Sequence, residues 1–221
     1  MPDLLTSVWE GNDNTLLRAY IPMWFRKNIR PLHILDVTFG KGTFWKGSIS
    51  GDFAVFTNDL DPDRSTDLHC DYRELASSYG KSQRDTSHPL GYKGFDIIVF
   101  DPPHWDDKKT KNASQLGVDR YGSGSPTLDD LSRFFEGSMD LTRNDGGLVI
   151  CKTSDQIHGG HYNCALFDYI DMARQAGLHL CDIVVKTRKN PGPQNYKKQL
   201  HGRRRHSYFI CFRNDYHKGA C

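Results

Sequence analysis

The sequence lacks the long apolar run that a membrane helix needs, because no stretch of its 221 residues approaches the required ~18 uninterrupted apolar positions. Residues 1–14 also lack the basic region followed by an apolar run that marks an export signal. The six cysteines show no Cys-x-x-Cys spacing, so neither a disulfide framework nor a zinc ribbon is indicated. We therefore expect a cytoplasmic chain with reduced thiols, folded as a single domain over 1–221.

Three kinds of chemistry lack the motif they would need. No Pro-Cys occurs, which argues against covalent attack on a pyrimidine by a thiolate. The first glycine turn lacks the third glycine of a nicotinamide dehydrogenase, since that position holds Trp45. His158, His161 and Cys164 are conceivable zinc ligands, but Gly-Gly between the histidines predicts a loop, and spacing fixes no fourth ligand. We expect no metal site.

Carboxylates are absent between Asp182 and Asp215, although nine of the 29 lysines and arginines fall there. The whole chain has a net charge of only +2, so the remainder of the protein is net negative. A basic stretch can be a solvated face, but one without balancing acids favours contact with the phosphates of a nucleic acid. We predict a basic hairpin over 186–206 with the contact residues Lys186, Arg188, Lys189, Lys197, Lys198, Arg203, Arg204 and Arg205.

Short apolar runs do recur along the chain, separated by amphipathic or turn-rich segments. Such runs are typical of strands that are covered on both faces. The alternation predicts an α/β fold with a mostly parallel sheet and helices on both faces. The predicted strands are 32–37, 53–57, 95–100, 148–152, 180–185 and 207–212, and the predicted helices are 15–28, 72–79, 127–141 and 164–176.

The first informative motif follows the apolar run 33–37, which leads directly into an acid and a Gly-x-Gly turn. Glycines there allow backbone amides to approach a ligand closely, and the acid can pair with a cation or a hydroxyl. A plain tight turn explains a lone Gly-x-Gly equally well, so further evidence is needed. The residues of this motif are Asp36, Thr38, Phe39, Gly40, Gly42 and Thr43.

Acids at the ends of the next two predicted strands provide that evidence. Asp59 and Leu60 follow the run 53–57, where doubly wound sheets place an acid that hydrogen-bonds a ribose diol. A candidate strand over 66–71 ends in Asp71, which could accept a hydrogen bond from an adenine amino group. We expect the nearby Asp61 and Asp67 to stabilise turns instead.

The most distinctive motif is Asp101-Pro102-Pro103-His104-Trp105, directly after the buried run 95–100. Consecutive prolines end the strand and fix the backbone, which would hold the Asp101 carboxylate and the Pro102 carbonyl in place. Two such acceptors could bind the two hydrogens of an exocyclic amine and localise its lone pair on nitrogen. His104 or Trp105 could stack on the base. A rigid turn with Trp105 in the core is the alternative.

Together these residues resemble the Rossmann-like S-adenosylmethionine-dependent methyltransferases, in particular those that methylate amino groups of nucleic-acid bases. The first motif of that family reads approximately Asp-x-x-x-Gly-x-Gly-Thr, and the catalytic motif reads (Asp/Asn/Ser)-Pro-Pro-(Tyr/Phe/Trp). The resemblance covers roughly 34–212. Lys41 and His104 depart from it, because the family has a small residue and an aromatic residue there.

The resemblance implies S-adenosyl-L-methionine as cofactor, a seven-stranded sheet with an antiparallel last strand, and a segment 9–14 that folds over the methionine end. The polar, Gly- and Ser-rich segment 106–126 directly follows the catalytic motif, so we expect it to be a substrate loop. Asp at the start of the catalytic motif favours adenine N6 in DNA as the target. The alternatives are an RNA base, at adenine N6 or guanine N2, and a catalytically silent nucleic-acid-binding module.

Overall fold

The structure, a computed structural model, describes residues 5–25, 30–46, 51–83, 94–103, 125–158, 161–189, 201–202 and 204–215. The helices are α1 (Asp13–Trp24), α2 (Leu75–Gln83), α3 (Leu128–Leu141) and α4 (Ala165–Gln175), with a short 3-10 helix over Thr43–Trp45. The strands are β1 (Val8–Trp9), β2 (Leu32–Asp36), β3 (Phe53–Thr57), β4 (Ile97–Phe100), β5 (Gly147–Thr153), β6 (Gln156–His158), β7 (His161–Asn163), β8 (His179–Thr187) and β9 (His206–Asn214).

Seven of these strands form one sheet in the order β1-β8-β9-β5-β4-β2-β3. Strand β9 runs antiparallel to both of its neighbours, β5 and β8, and the other pairs are parallel. Strands β6 and β7 form a separate two-stranded hairpin. The predicted mostly parallel sheet with an antiparallel last strand is therefore confirmed.

Helices cover both faces of the sheet. On one face Phe100 packs in a cluster with α2, α3 and α4, and on the other Val99 packs in a cluster with α1. Because successive side chains of a strand point to opposite faces, a central strand covered on both sides is apolar at every position, as β4 is. Within the described ranges, no helix is both long and apolar enough to cross a bilayer.

The strand predicted over 66–71 is wrong, because only Leu68 pairs there, in an isolated bridge with Asn58. Hydrogen bonds from side chains replace most of the backbone bonds of a strand there. The Asp67 carboxylate accepts from the backbone amide of Thr57, and the side-chain amide of Asn58 donates to the Cys70 carbonyl. The seventh strand is instead the two-residue β1 at the opposite edge. Part of the segment predicted to cover the cofactor therefore belongs to the sheet.

Candidate functional site

Three predicted site residues and one lysine that was not predicted meet at one edge of the sheet. Strands β3, β2, β4 and β5 are consecutive and parallel, so their carboxyl ends lie side by side. Polar residues occupy these ends or follow them directly: Asp59 after β3, Asp36 at the end of β2, Asp101 after β4 and Lys152 near the end of β5. Ligands of open α/β sheets bind in the crevice outside such ends.

The glycine turn after β2 has a backbone that only glycine adopts without strain. Gly40 and Gly42 have φ angles of 57° and 62°, in the left-handed region. A Cβ on Gly42 would lie 2.7 Å from the ring of Phe39. Thr43 is exposed and begins the 3-10 helix. The Phe39 ring therefore covers Gly42, whereas the Cβ position of Gly40 has only the Thr38 carbonyl near it, at 3.8 Å.

Asp36 is buried and already has two donors. Its carboxylate accepts a hydrogen bond from the Trp45 indole at 2.7 Å and one from the Thr38 amide at 3.1 Å. Burial, helped by the charges of Asp101 and Asp59, outweighs these two bonds and raises the pKa of Asp36 to about 7. Sequence reasoning used Trp45 only to exclude a dehydrogenase and missed this contact.

The hydroxyl of Thr38 connects the two motifs. It accepts a hydrogen bond of 2.7 Å from the amide of Asp101, so the Asp-Pro-Pro segment begins against the glycine turn. Pro102 is buried and Pro103 is half-buried. His104 and Trp105 lie outside the described residues, so which ring stacks on a base stays a prediction.

Asp59 links the second strand end to the same turn. One of its oxygens accepts from the Gly40 amide at 2.7 Å, and the other accepts from the Asp61 amide at 2.9 Å. The side chain of Leu60, directly after it, is 45% exposed. Asp59 therefore positions the turn, and an uncovered apolar side chain lies beside it where the sequence predicts the nucleoside of a cofactor.

Lys152 was missed by sequence reasoning, although it contacts the predicted catalytic acid. Its ammonium lies 3.0 Å from the carboxylates of both Asp101 and Asp13, and 5.3 Å from the centroid of the Phe44 ring. Asp13 also pairs with Lys186. Burial by itself would lower the pKa of Lys152, but the two carboxylates outweigh it and raise the pKa. Lys152 is therefore a fixed cation and not a base.

Asp71 makes a different contact from the one predicted. Arg73 donates to both of its oxygens, and the hydrogen bonds from Arg73 lower the pKa of Asp71. The same guanidinium reaches Asp130 at the start of α3 at 3.0 Å. Asp71 is thus engaged by Arg73, and its role toward an adenine stays a prediction.

The basic hairpin is only partly described, since Lys197, Lys198 and Arg203 lie outside the described residues. Arg188 and Lys189 are exposed. Arg205 donates to the carbonyls of both, so its guanidinium joins the two arms of the hairpin. Lys186 is turned inward to Asp13. Arg188, Lys189 and Arg204 are thus the described candidates for phosphate contact.

One signal could have identified Lys152. It interrupts the apolar run that begins at Leu148, at the same place where Asp36 and Asp101 follow their own strands. Its pairing with Asp13 could not be predicted, because Asp13 lies more than a hundred positions away. Across the described part of the chain, no group of three or more potential ligand side chains could hold a metal ion.

Comparison with known proteins supports the fold. No family model matches the sequence, and no curated protein does. A methyltransferase dependent on S-adenosylmethionine from Agrobacterium tumefaciens has a TM-score of 0.54 at 11% identity, covering 91% of this chain and 62% of its own. Another from Archaeoglobus fulgidus has a TM-score of 0.50 at 10% identity, covering 90% of this chain and 92% of its own.

A Thermus thermophilus protein, provisionally named a DNA modification methylase, has a TM-score of 0.40 at 17% identity. It covers 65% of this chain, and this chain spans half of its length (50%). Identities this low establish architecture and not activity. The strand order and the two comparisons that each cover about nine-tenths of this chain together show that it has the Rossmann-like fold of the S-adenosylmethionine-dependent methyltransferases.

Proposed function

We propose that the protein transfers a methyl group from S-adenosyl-L-methionine to the exocyclic amino nitrogen of a nucleic-acid base, with adenine N6 in DNA as the favoured target. One observation carries the proposal: the Asp101 amide is bonded to the Thr38 hydroxyl at 2.7 Å. That bond brings the acid of the Asp-Pro-Pro motif to the glycine turn. An acceptor amine and a methyl donor bound at these two motifs would therefore be neighbours.

The residues at this edge fit the cofactor chemically. S-adenosyl-L-methionine carries a sulfonium and an ammonium, and Asp36, Asp59 and Asp101 supply three neighbouring carboxylates. The left-handed Gly40 leaves its backbone open to close approach, because only the Thr38 carbonyl lies near its Cβ position. We assign Asp36, Thr38, Phe39, Gly40, Gly42, Thr43, Asp59, Leu60 and Asp71 to cofactor binding, as the family resemblance implies.

The chain's own residues would then position the reacting amine. Asp101 accepts one amine hydrogen and the Pro102 carbonyl accepts the other, so the nitrogen lone pair is localised. When bound, the cofactor supplies a methyl group on a positively charged sulfur that needs no activation. Transfer would form the nitrogen–carbon bond as the carbon–sulfur bond breaks, which would leave a neutral thioether, and the methylated amine would then release one proton to water. Lys152 keeps the Asp101 carboxylate oriented through its 3.0 Å ion pair. Placement of the amine beside the methyl donor then supplies most of the rate enhancement.

The acceptor is assigned from the first residue of the Asp-Pro-Pro motif. The Asp at the start of the motif favours adenine N6, as in the family, over cytosine N4. An RNA base stays the second candidate. A catalytically silent module is disfavoured, because a scaffold has no need for a lysine that is only 14% exposed and paired with the motif acid.

Isotopic methyl transfer tests the proposal. Purified protein with labelled S-adenosyl-L-methionine is offered DNA, RNA or no acceptor. We expect incorporation into DNA that falls at least ~100-fold in Asp101→Ala, because the amine then loses its carboxylate partner. Asp140→Ala, which removes an exposed acid from α3, is the matched control and should retain activity. Equal incorporation by Asp101→Ala would disprove the role of Asp101, and incorporation into RNA alone would overturn the DNA assignment.

A further inference from the structure

Tyr162 is a large aromatic side chain that the proposed reaction does not use. It lies on β7 of the hairpin β6–β7, and its side chain is 50% exposed. The hairpin joins β5 to α4, so it follows the same strand that carries Lys152. Gln156 at its start donates to the Ser125 hydroxyl at 2.6 Å, which attaches the hairpin to the segment before α3.

A buried acid fixes the orientation of the Tyr162 ring. The Tyr162 hydroxyl donates to the carboxylate of Asp155, which is fully buried just beyond the end of β5. The Tyr208 hydroxyl donates to the same carboxylate at 3.0 Å, and His206 lies 3.0 Å from that hydroxyl. The bond to Asp155 raises the pKa of Tyr162 to about 12, so the phenol stays a neutral donor. An exposed ring anchored in this way has little orientational freedom to lose on binding.

Two residues of the basic hairpin, His201 and Arg204, lie close to the Tyr162 ring. The His201 ring centroid lies 6.5 Å from that of Tyr162, with an interplanar angle of 48°. The charge of Arg204 acts on the Tyr162 phenol. Arg188 is joined to the same arm through its amide, which donates to the Arg205 carbonyl at 2.6 Å. An exposed aromatic surface beside arginines is typical of proteins that bind unpaired nucleic acid.

We propose that Tyr162, with His201 and Arg204, forms a stacking surface for one unpaired base of the substrate strand, beside the base that is methylated. This inference rests on the proposed function and adds a second contact to it. Arg204 contacts the adjoining phosphate, and the Tyr162 ring contacts the base face. Extrusion of a base from a duplex leaves its neighbours with exposed faces, which such a surface would stabilise.

Binding measurements separate the ring from the charge. Fluorescence anisotropy with a labelled single-stranded DNA, the same sequence as a duplex, and single-stranded RNA is followed as salt is raised. We expect Tyr162→Ala to weaken single-strand binding roughly tenfold without changing the salt dependence. Arg204→Ala should instead reduce the slope of log K against log salt by about 0.7, the value for one phosphate on a single strand.

Two matched variants complete the design. Tyr162→Phe keeps the ring but loses its bond to Asp155, so it should bind single strands more weakly than wild type and more tightly than Tyr162→Ala. Phe167→Ala removes an aromatic side chain that is 66% exposed on α4 and should leave binding unchanged. Thermal unfolding of each variant confirms that it is folded.

The outcomes distinguish this inference from the proposed function. Unchanged affinity in Tyr162→Ala, or an equal loss in Tyr162→Phe, would overturn the stacking surface while methyl transfer to nucleic acid could still be measured. An equal loss in Phe167→Ala would show an unspecific effect and overturn it as well. Wild-type protein that neither binds nor methylates any nucleic acid would refute the proposed function itself.

Discussion

The three carboxylates at the carboxyl edge of the sheet have the same chemistry and different partners. Asp36 is held by an indole and an amide, Asp59 by two amides, and Asp101 by a lysine. A carboxylate that accepts only backbone amides fixes the shape of a turn. A carboxylate that is partly exposed and paired with a cation, as Asp101 is, can still orient a ligand. The partners of these carboxylates, more than the residue type, distinguish a positioning role from the proposed catalytic role.

Lys152→Met tests whether the ion pair orients Asp101. Methionine approximates the length of the lysine stem and removes the charge, so we expect kcat to fall roughly 100-fold through misplacement of the carboxylate. The KM for S-adenosyl-L-methionine should change little. Lys152→Arg should partly restore kcat, since it restores a cation. Lys186→Met, which removes only the other partner of Asp13, is the control; a loss as large in that variant would contradict the assignment.

Asp36 should make stability depend on pH in an unusual direction for an acid. Its pKa of about 7 in the folded protein exceeds the ordinary 3.8, so folding favours the protonated form. Its contribution is complete below the unfolded pKa and is lost as pH rises through about 7. Relative to Asp36→Asn, the unfolding free energy of wild type should fall by roughly 2–3 kcal/mol from about pH 5 to pH 8. Urea titrations of both proteins measure this, and a constant difference would contradict the shift.

At the scale of elements, the glycine turn is the segment whose conformation the site most depends on. Gly42→Ala forces a side chain into the left-handed region and toward the Phe39 ring, 2.7 Å away. We expect a loss of about 1–2 kcal/mol in unfolding free energy and weaker cofactor binding by calorimetry.

Gly51→Ala is the matched control for the turn. Nothing lies within 4 Å of a Cβ at Gly51, and its φ is not left-handed. The two variants therefore differ in backbone conformation and available space. Similar stability for both would show that the turn tolerates a side chain and would contradict its assigned role.

The amino end of the central strand β4 is stabilised by Asp96, which is fully buried. It accepts from the guanidiniums of Arg30 and Arg143 and from the His33 amide, at 2.6–2.8 Å. Burial by itself would raise the pKa of Asp96, but these bonds outweigh it and lower the pKa. Its stabilisation is therefore present above the unfolded pKa and is lost as pH falls through the lower folded value.

Asp96→Asn should destabilise the fold by about 3 kcal/mol, because both arginines lose a charged partner in a buried position. Denaturant unfolding measures the change. Asp145→Asn removes the exposed partner of Arg143 and should cost less than about 1 kcal/mol. If the two losses are equal, Asp96 does not have the proposed structural role.

The elements themselves could largely be predicted from sequence, for identifiable reasons. Buried parallel strands are apolar along their length, so β4 and its neighbours are visible as short runs. Thr127 caps α3 with Asp130, and Gly177, at φ 96°, follows the end of α4. Both residue types are common local signals for the start and the end of a helix. The segment 66–71 failed because its side chains bond to the backbone and replace the ladder, which no hydrophobic pattern records.

At the scale of the whole molecule, charge is divided between two regions. Acids converge at the carboxyl edge of the sheet, and bases concentrate in the hairpin between β8 and β9. Sequence could predict this division but not which bases stay available. Lys186 turns inward to Asp13, and Arg205 bonds to backbone carbonyls. Long-range side-chain pairs of this kind depend on the assembled fold.

The division of charge predicts binding that is sensitive to salt. With Arg188, Lys189 and Arg204 on phosphates, duplex affinity should fall with a log–log slope of at least about −2.7, that is, −0.9 per contact. Titrations at several salt concentrations give the slope. A slope near zero would exclude the basic hairpin as a phosphate-binding surface.

Identification of the methylated nucleoside tests the central claim most directly. After reaction with labelled S-adenosyl-L-methionine, the DNA is digested to nucleosides, which are separated and weighed by mass spectrometry. The account predicts label in N6-methyladenosine of the deoxy series from wild type and none from Asp101→Ala. Label on a ring nitrogen, on a ring carbon or on no nucleoside at all would contradict it.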